Sequence, residues 1–230
     1  MTQRELGEVL ARPGWGLPER GTVAMIQCVE SRTAENPYCS RVCCAQAVQN
    51  AIAIKRRYPD AQVVVLYRDV RTYGLRERYY QEARDLGVLF VRYDLEPDAQ
   101  GRGGLPTVTR EGERLVVRAF DPVIGEDLAF EVDLLALSVG IAPREDADVL
   151  ATMLKVPLTA ERFFLEAHMK LRPVEFATEG VYLAGMAHGP KFVEESIAQA
   201  HAAVSRACTV LARNELMSSG RGAARAPGQA

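Results

Sequence analysis

The sequence lacks a strong net charge, a long apolar run and a secretion signal. Its 28 Lys and Arg residues nearly balance 30 Asp and Glu residues, which argues against nucleic acid as the main partner. No segment approaches the roughly 20 apolar residues of a membrane-spanning helix, and no charged start precedes an apolar core. With 48% hydrophobic residues the chain can still bury a substantial core, which excludes disorder of the whole chain. We therefore expect a folded cytoplasmic protein with no membrane span.

Apolar runs and helical patterns alternate through the first part of the chain. Short apolar stretches bounded by turn residues predict buried strands, and apolar residues three or four positions apart predict helices. Strands are predicted at 22–27, 61–67, 87–93 and 132–139, helices at about 40–57 and 77–86, and a hairpin at 106–120. This alternation is typical of an α/β unit whose parallel sheet is covered on both faces. We therefore predict a Rossmann-like parallel α/β domain over residues 21–145, preceded by an amino-terminal segment, 1–20.

The carboxyl-terminal part of the chain has a different character. It contains a helical pattern at about 146–154, a short strand at 180–185 and a helical pattern from about 192 to 211. A segment as short as 146–217 cannot readily bury its apolar faces alone, so we expect it to form part of a larger domain. Residues 218–230 are mostly small and include Gly and Pro, and we expect a disordered tail there.

The predicted Rossmann-like domain lacks the glycines with which such domains bind a dinucleotide. A nucleotide-binding strand is normally followed by G-x-G-x-x-G, which lets the backbone approach the pyrophosphate. Here the turn after the first strand reads QCVESR, residues 27–32. We therefore expect this domain not to bind NADH or NADPH. A loose phosphate site that uses Ser31 and Arg32 is the alternative.

Four of the five cysteines lie around this same turn. Cys28 ends the first predicted strand, Cys39 precedes the first predicted helix, and Cys43 and Cys44 lie in its first turn. The carboxyl end of a parallel strand lies beside the amino end of the following helix, so we expect the four sulfur atoms to converge. Four thiolates suit zinc or an iron–sulfur cluster.

The spacing of these cysteines favours a [4Fe-4S] cluster over zinc. Zinc sites usually use Cys-x2–4-Cys knuckles, which the adjacent Cys43 and Cys44 fit poorly, whereas neighbouring residues can bind different corners of a cluster. A helix N-terminus would also stabilise the negative charge of the thiolates. Zinc, redox-active thiols and buried structural cysteines are the alternatives. Cys208 is expected to be a free, buried thiol.

Seven ordered segments together resemble the flavoprotein component of heterodisulfide reductase, its A-subunit. They span roughly residues 5–212 and include MIQCVESR, PYCSRVCCAQAVQNAI, YRDVRTYG, GVLFVRYD, VDLLALSVGIAP, LEAHMKLRPV and GVYLAGMAHGPKFVEESIAQAHAA. The resemblance implies a thioredoxin-reductase-like fold, in which the Rossmann-like domain carries a [4Fe-4S] cluster on Cys28, Cys39, Cys43 and Cys44. Residues 146–217 then resemble the closing part of an FAD-binding domain. Only the carboxyl-terminal part of the family's sequence is matched, because the glycine-rich half of that domain is missing from these residues.

The resemblance also implies a flavin contact in the loop after the predicted strand at 180–185. The loop consists of Gly185, Met186, Ala187, His188, Gly189, Pro190 and Lys191. Its two glycines permit close backbone approach, and the amino end of the next helix can stabilise an anionic reduced flavin. A plain helix start is the alternative for the loop. His188 is expected to be a hydrogen-bonded loop residue, and Lys191 either a flavin contact or a solvated lysine.

The function implied by the resemblance is electron transfer within a redox complex. Electrons would pass between the [4Fe-4S] cluster and an FAD that is shared with a separate chain supplying the G-x-G-x-x-G half of its site. The FAD would act in simple electron transfer or in flavin-based electron bifurcation, with further iron–sulfur or reductase subunits as partners. The alternatives are a flavin-free iron–sulfur carrier and a zinc-stabilised scaffold. No catalytic residue is identified, and the sequence does not name the terminal electron donor or acceptor.

Overall fold

The chain divides after Ile141 into two units. The computed structural model describes the backbone of residues 1–223 and the side chains of residues 1–212. In chain order the elements are α1 (Gln3–Leu10), β1 (Thr22–Val29), α2 (Cys43–Arg57), β2 (Gln62–Tyr67), α3 (Glu77–Asp85), β3 (Leu89–Arg92), β4 (Thr107–Glu111), β5 (Arg114–Asp121), β6 (Glu126–Val132), β7 (Leu134–Val139), α4 (Ala147–Leu154) and α5 (Val193–Ala223). Within the described residues, no helix combines the length and apolarity that crossing a membrane requires.

The first unit is built on a parallel sheet with the strand order β3-β2-β1-β7. β1 lies between β2 and β7, and six consecutive residues of it, 23–28, are buried. A strand covered on both faces has a continuous apolar run instead of alternation, which is the pattern that the sequence shows. The predicted parallel α/β fold is therefore confirmed.

Helices cover one face of the parallel sheet, and a second sheet covers the other. On the helical face, Leu6 of α1 and Val48 of α2 pack with Met25 of β1 in one core. On the opposite face, Val64 of β2 packs with Val117 of β5 from the antiparallel sheet β4-β5-β6. The hairpin of β4 and β5 agrees with the sequence, but β6 was not predicted. Most of its side chains are exposed or only partly buried, so it lacks the apolar run that marks the other strands.

The amino-terminal segment lies within the first unit. The Met1 amino group donates to the carbonyl of Leu135 in β7 at 3.0 Å, which ties the start of the chain to the parallel sheet. Thr2 caps α1, because its side chain accepts the Glu5 N–H and the Glu5 carboxylate accepts the Thr2 N–H. Leu6 is 0% exposed. α1 is thus a structural layer of the first unit and not only a lead-in to it.

Truncation of Leu6 tests this role of α1. We expect Leu6→Ala to lower the free energy of unfolding by about 2–5 kcal/mol, because it leaves a cavity in the helical-face core. Leu75→Ala is the control, since Leu75 is 80% exposed and its loss should change stability by no more than about 0.5 kcal/mol. Urea denaturation compares the two variants with the parent. Equal stabilities would show that α1 adds nothing to the core.

The second unit contains two helices joined by a long connection of loops and turns. Its core includes Ala151, Val156, Phe176 and Leu183. The strand predicted at 180–185 is not formed. Tyr182 makes only an isolated antiparallel bridge, and the chain then turns through a 3-10 helix at Gly185–Ala187. An apolar run becomes a strand only where another strand lies alongside it, which the local sequence does not specify.

The end of α5 differs from the expected disordered tail. The helix continues to Ala223, so residues 218–223 are helical. Residues 224–230, the rest of the predicted tail, lie outside the described residues.

Candidate functional site

The four clustered cysteines lie at the carboxyl edge of the parallel sheet. The chain runs outward from β1 to β2 and β3 and then returns to place β7 on the other side of β1. In open α/β sheets, ligands bind outside the carboxyl ends of the strands at such a switch point. Cys28 is the penultimate residue of β1, and Cys43 and Cys44 open α2. The cysteines thus occupy the place where a related domain would bind a dinucleotide.

The four thiols lie close enough to perturb one another. Cys43 donates a hydrogen bond to Cys44, and this bond, burial and the charges of Cys44, Cys28 and Cys39 raise the pKa of Cys43. The same hydrogen bond lowers the pKa of Cys44 to about 7, although burial opposes the shift. Burial, followed by the charge of Cys44, raises the pKa of Cys28. All five cysteines of the chain, Cys208 included, are free thiols.

Access to the cysteines differs. Cys28, Cys43 and Cys44 are buried, whereas Cys39 is half-buried and accepts the Arg41 N–H at 3.3 Å. Cys39 therefore lies on the side of the group that is nearest to solvent.

The backbone around these cysteines is strained. Cys28, Glu30, Arg32 and Arg41 have φ values of 58°, 52°, 60° and 59°, and they are four of the six described residues other than glycine with positive φ. Such conformations cost on the order of 1–3 kcal/mol each and persist where the surroundings hold them. The β1–β7 pairing also shifts its register beside Cys28. Strain and bulges of this kind concentrate at ligand sites.

The donor set consists of four thiols, a ligand type that suits zinc or an iron–sulfur cluster. In the part of the chain that the structure describes, no group of three or more His, Cys, Asp or Glu residues is placed to hold one metal ion. A tetrahedral zinc site needs four ligands at about 2.3 Å from a single ion, whereas a [4Fe-4S] cluster spreads its ligands over four irons.

The two residues of the alternative phosphate site make contacts within the turn after β1 and with the loop after β2. The Ser31 hydroxyl is buried and donates to the Tyr38 carbonyl at 3.3 Å. Arg32 pairs with Asp69 at 2.6 Å, and its charge also acts on Cys28. Ser31 and Arg32 thus both have partners close to the cysteines, although Nη1 of Arg32 has none among the described residues. The sequence analysis missed this role of Arg32, because Asp69 follows a different strand.

The predicted flavin loop, residues 185–191, is held in place by α5 and by the connection before it. Gln199 on α5 accepts the Gly185 N–H at 2.8 Å, and the Ala187 carbonyl accepts the Phe164 N–H at 2.9 Å. Gly185 and Gly189 have φ values of +67° and +148°, which L side chains rarely adopt. A Cβ atom at Gly189 would meet no described heavy atom within 4 Å. The loop therefore combines a fixed backbone with open space beside Gly189.

A hydrogen-bonded chain of side chains holds His188. Its Nε2 lies 2.7 Å from Glu166 Oε2, and its Nδ1 lies 2.7 Å from Gln199 Nε2. Because Gln199 Oε1 accepts the Gly185 N–H, the amide nitrogen donates to Nδ1, and His188 carries its proton on Nε2. His188 is thus the hydrogen-bonded loop residue that the sequence analysis expected. Glu166 and Gln199 were not predicted, since neither is near His188 in the sequence.

The start of α5, which the sequence analysis expected to stabilise an anionic flavin, carries negative charge. Glu194 and Glu195 lie in the first turn of α5, and Glu195 accepts the Phe192 N–H at 2.8 Å. Two carboxylates at a helix N-terminus reduce its attraction for an anion. Burial alone would raise the pKa of Glu166, but hydrogen bonds from its own N–H and from His188, together with the charge of Lys191, lower that pKa. Because these carboxylates weaken the positive end of the α5 dipole, the positive charge at this loop comes mainly from Lys191.

Cys208 is exposed on α5, whereas the sequence predicted a buried thiol. Ala203 is buried on this helix, but Val204 and Leu211 are exposed. The alanine-rich pattern around Cys208 suits a buried helix, yet only one narrow face of α5 is covered within the second unit.

Curated relatives match the chain over most of its length, although no protein-family model matches it. It is 41% identical over 215 residues to the iron-sulfur A-subunit 2 of the CoB–CoM heterodisulfide reductase of Methanopyrus kandleri, covering 91% of this chain and 31% of the relative. It is 37% identical over 216 residues to the A-subunit of the H2:CoB–CoM heterodisulfide,ferredoxin reductase of Methanothermobacter marburgensis, with coverages of 91% and 31%. For the A-subunit of the H2/formate:CoB–CoM heterodisulfide,ferredoxin reductase of Methanococcus maripaludis the identity is 41% over 198 residues, with coverages of 84% and 29%. The chain thus spans about three tenths of the length of these relatives.

A solved structure agrees with the fold. Thioredoxin reductase of Lactococcus lactis, in its FR conformation, matches with a TM-score of 0.50 at 12% identity, covering 84% of this chain and 54% of that one. At this identity the match concerns the fold alone, and it confirms the predicted thioredoxin-reductase-like architecture. Because identities of 37–41% extend over 84–91% of its residues, the chain belongs to the family of heterodisulfide reductase A-subunits and corresponds to a part of such a protein.

Proposed function

We propose that the chain is an electron-transfer component of a heterodisulfide-reductase-like oxidoreductase. It holds a [4Fe-4S] cluster on Cys28, Cys39, Cys43 and Cys44 and contributes part of an FAD site. The observation that carries this proposal is the gathering of four free thiols at the switch point of a parallel sheet. The relative from M. kandleri is named an iron-sulfur subunit, which supports the same assignment.

The surroundings of the cysteines suit negatively charged ligands. Metal binding requires thiolates, and Cys44 has the more acidic thiol of the pair that it forms with Cys43. The charges of Arg71 and Arg32 act on Cys44 and offset its negative charge. Val42, the N-cap of α2, makes no side-chain capping bond, so the first N–H groups of α2 are not satisfied by a cap. When bound, the cluster supplies one-electron transfer.

The flavin loop contributes one side of the FAD site. Gly189 gives the flavin room to approach the backbone, and Lys191 brings a positive charge to the same loop. The glycine-rich half of the site lies outside these 230 residues, on a partner polypeptide in our proposal, because the sequence contains no G-x-G-x-x-G. Exposed apolar residues on α5, Val193 and Ile197 among them, suit an interface with that partner. We propose that the assembled complex also performs electron bifurcation, which needs a second acceptor such as the ferredoxin in the name of the M. marburgensis relative.

Metal and flavin analysis of the anaerobically purified complex tests the proposal. We expect four iron and four sulfide per chain together with the resolved absorption bands of a flavin. Stoichiometric zinc without iron would overturn the cluster assignment and favour the zinc-stabilised scaffold. Iron without flavin would favour a flavin-free carrier, the second candidate, which Glu194 and Glu195 at the start of α5 support.

The first unit is expected not to bind NADH or NADPH. The turn after β1 carries Cys28 and Glu30 where a pyrophosphate needs glycine, and the Glu30 carboxylate would repel it. Isothermal titration of the purified chain with each nucleotide should give no heat of binding at micromolar concentrations, in contrast to a thioredoxin reductase titrated in parallel. A micromolar dissociation constant, reversed by a competing analogue, would contradict this expectation.

A further inference from the structure

A buried glutamine and a half-buried arginine beside the cysteines carry buried polar atoms without hydrogen-bond partners among the described residues. Gln27 directly precedes Cys28 and is 1% exposed, yet neither its Nε2 nor its Oε1 has a partner among the described residues. Arg32 binds Asp69 through Nη2, but its buried Nη1 has no partner in the same part of the chain. Unsatisfied buried groups are rare in folded proteins, so each of them requires an explanation.

Gln27 lies on the face of the sheet that the cysteine-bearing helix covers. Side chains alternate along a strand, and Met25 of β1 packs with Val48 of α2 in the helical-face core. Gln27 is two residues further along β1 and therefore belongs to the same face. It is also nearer to the carboxyl edge, where α2 begins with Cys43 and Cys44. Strand alternation therefore puts Gln27 on the face that α2 covers, next in sequence to Cys28.

Arg32 approaches the same group from the loop. Burial raises the pKa of Cys28, whereas the charge and the hydrogen bond of Arg32 act to lower it. The charge of Arg32 also acts to lower the pKa of Cys44. The Asp69 carboxylate holds the guanidinium at one edge and leaves Nη1 unpaired. Asp69 therefore holds the guanidinium of Arg32 in place, next to the cysteine sulfur atoms on which its charge acts.

We propose that Gln27 and Arg32 donate hydrogen bonds to sulfur atoms of the bound cluster and thereby raise its reduction potential. The proposal rests on the proposed [4Fe-4S] cluster. Reduction adds negative charge to a cluster, so N–H donors and a nearby cation stabilise the reduced state more than the oxidised state. Neither residue binds iron, and both act through the sulfur atoms.

Redox titration of the reconstituted full chain, followed by electron paramagnetic resonance, tests the proposal. Gln27→Met keeps the length of the side chain and removes both polar atoms, and Arg32→Gln removes the charge. Each is expected to shift the midpoint potential to more negative values with four irons retained. Arg32→Lys keeps the charge and should shift it less than Arg32→Gln. Gln3→Met is the matched control, because Gln3 is also buried and has an unpaired Nε2 but lies on α1 and bonds to Asn50.

The stability of the cluster-free chain provides a second readout. Gln27→Met should raise its unfolding midpoint, because the substitution removes two unpaired polar atoms and conserves volume. A lower midpoint would show that the Gln27 amide is satisfied within the fold, and the proposal would be overturned. Unchanged potentials in both Gln27→Met and Arg32→Gln would also overturn it and leave the cluster assignment intact. Failure of the parent chain to bind iron would instead refute the proposed function.

Discussion

Cys44→Ala is expected to abolish the [4Fe-4S] cluster, so that the iron content falls from four atoms per chain to a small fraction of that value. Cys44 is buried, accepts the hydrogen bond of Cys43 and has its pKa lowered to about 7. It is therefore the thiol of this pair that is most readily available as a thiolate ligand near neutral pH. Its removal leaves three sulfur ligands for four irons. Iron and sulfide analysis, with the visible and paramagnetic resonance spectra, measures the loss.

Cys208→Ala is the control for this experiment. It removes the same chemical group from α5, where the thiol is exposed and free. The variant should keep its full complement of iron and sulfide. Four irons in the Cys44→Ala variant, or loss of iron in the Cys208→Ala variant, would show that the cluster is bound elsewhere.

Loss of the cluster should also destabilise the first unit. The loop from Cys28 to Arg41 contains four residues with positive φ, each strained by on the order of 1–3 kcal/mol. Bound metal offsets such strain, because it binds the folded loop and not the unfolded one. We expect thermal unfolding of the first unit to shift to lower temperature after chelation or in Cys44→Ala. An unchanged midpoint would mean that the loop is held without metal.

The second large effect is expected at the flavin loop, where Gly189→Val should expel FAD from the complex with the partner polypeptide. In the proposed site the flavin lies against the open space beside Gly189, and a branched side chain would fill that space. Flavin released by denaturation, measured per iron, should fall from about one equivalent to a small fraction. The cluster is expected to stay, because the cysteines belong to the first unit.

Gly180→Val is the matched control. Gly180 also has a positive φ, +81°, and a Cβ there would likewise meet no described heavy atom within 4 Å. It therefore carries similar backbone strain but lies outside residues 185–191. Retention of FAD by Gly180→Val would assign the effect of Gly189→Val to the loop itself. Tight, stoichiometric FAD binding by the solitary, monodisperse chain would instead refute a shared site.

The sequence by itself determined the parallel sheet and the neighbourhood of the four cysteines. β1 and β2 are covered on both faces, and such strands have continuous apolar runs that are visible without any tertiary information. The cysteines lie on one strand, the loop after it and the next helix, so chain connectivity alone brings them to one edge of the sheet. Local patterns and short connections were sufficient in both cases.

Only the tertiary structure decided the features that depend on distant residues. The run at 180–185 has the composition of a strand but makes only an isolated bridge, because no strand among the described residues lies alongside it. The contacts of Gly185 and His188 with Gln199 span 14 and 11 residues, and that of Arg32 with Asp69 joins loops after two different strands. The Gln27 amide lacks partners because of how the described residues pack around it, which its local sequence does not specify. Local sequence limits the conformation of each segment, whereas pairing and burial depend on which segments pack together, and that is settled by the folded chain as a whole.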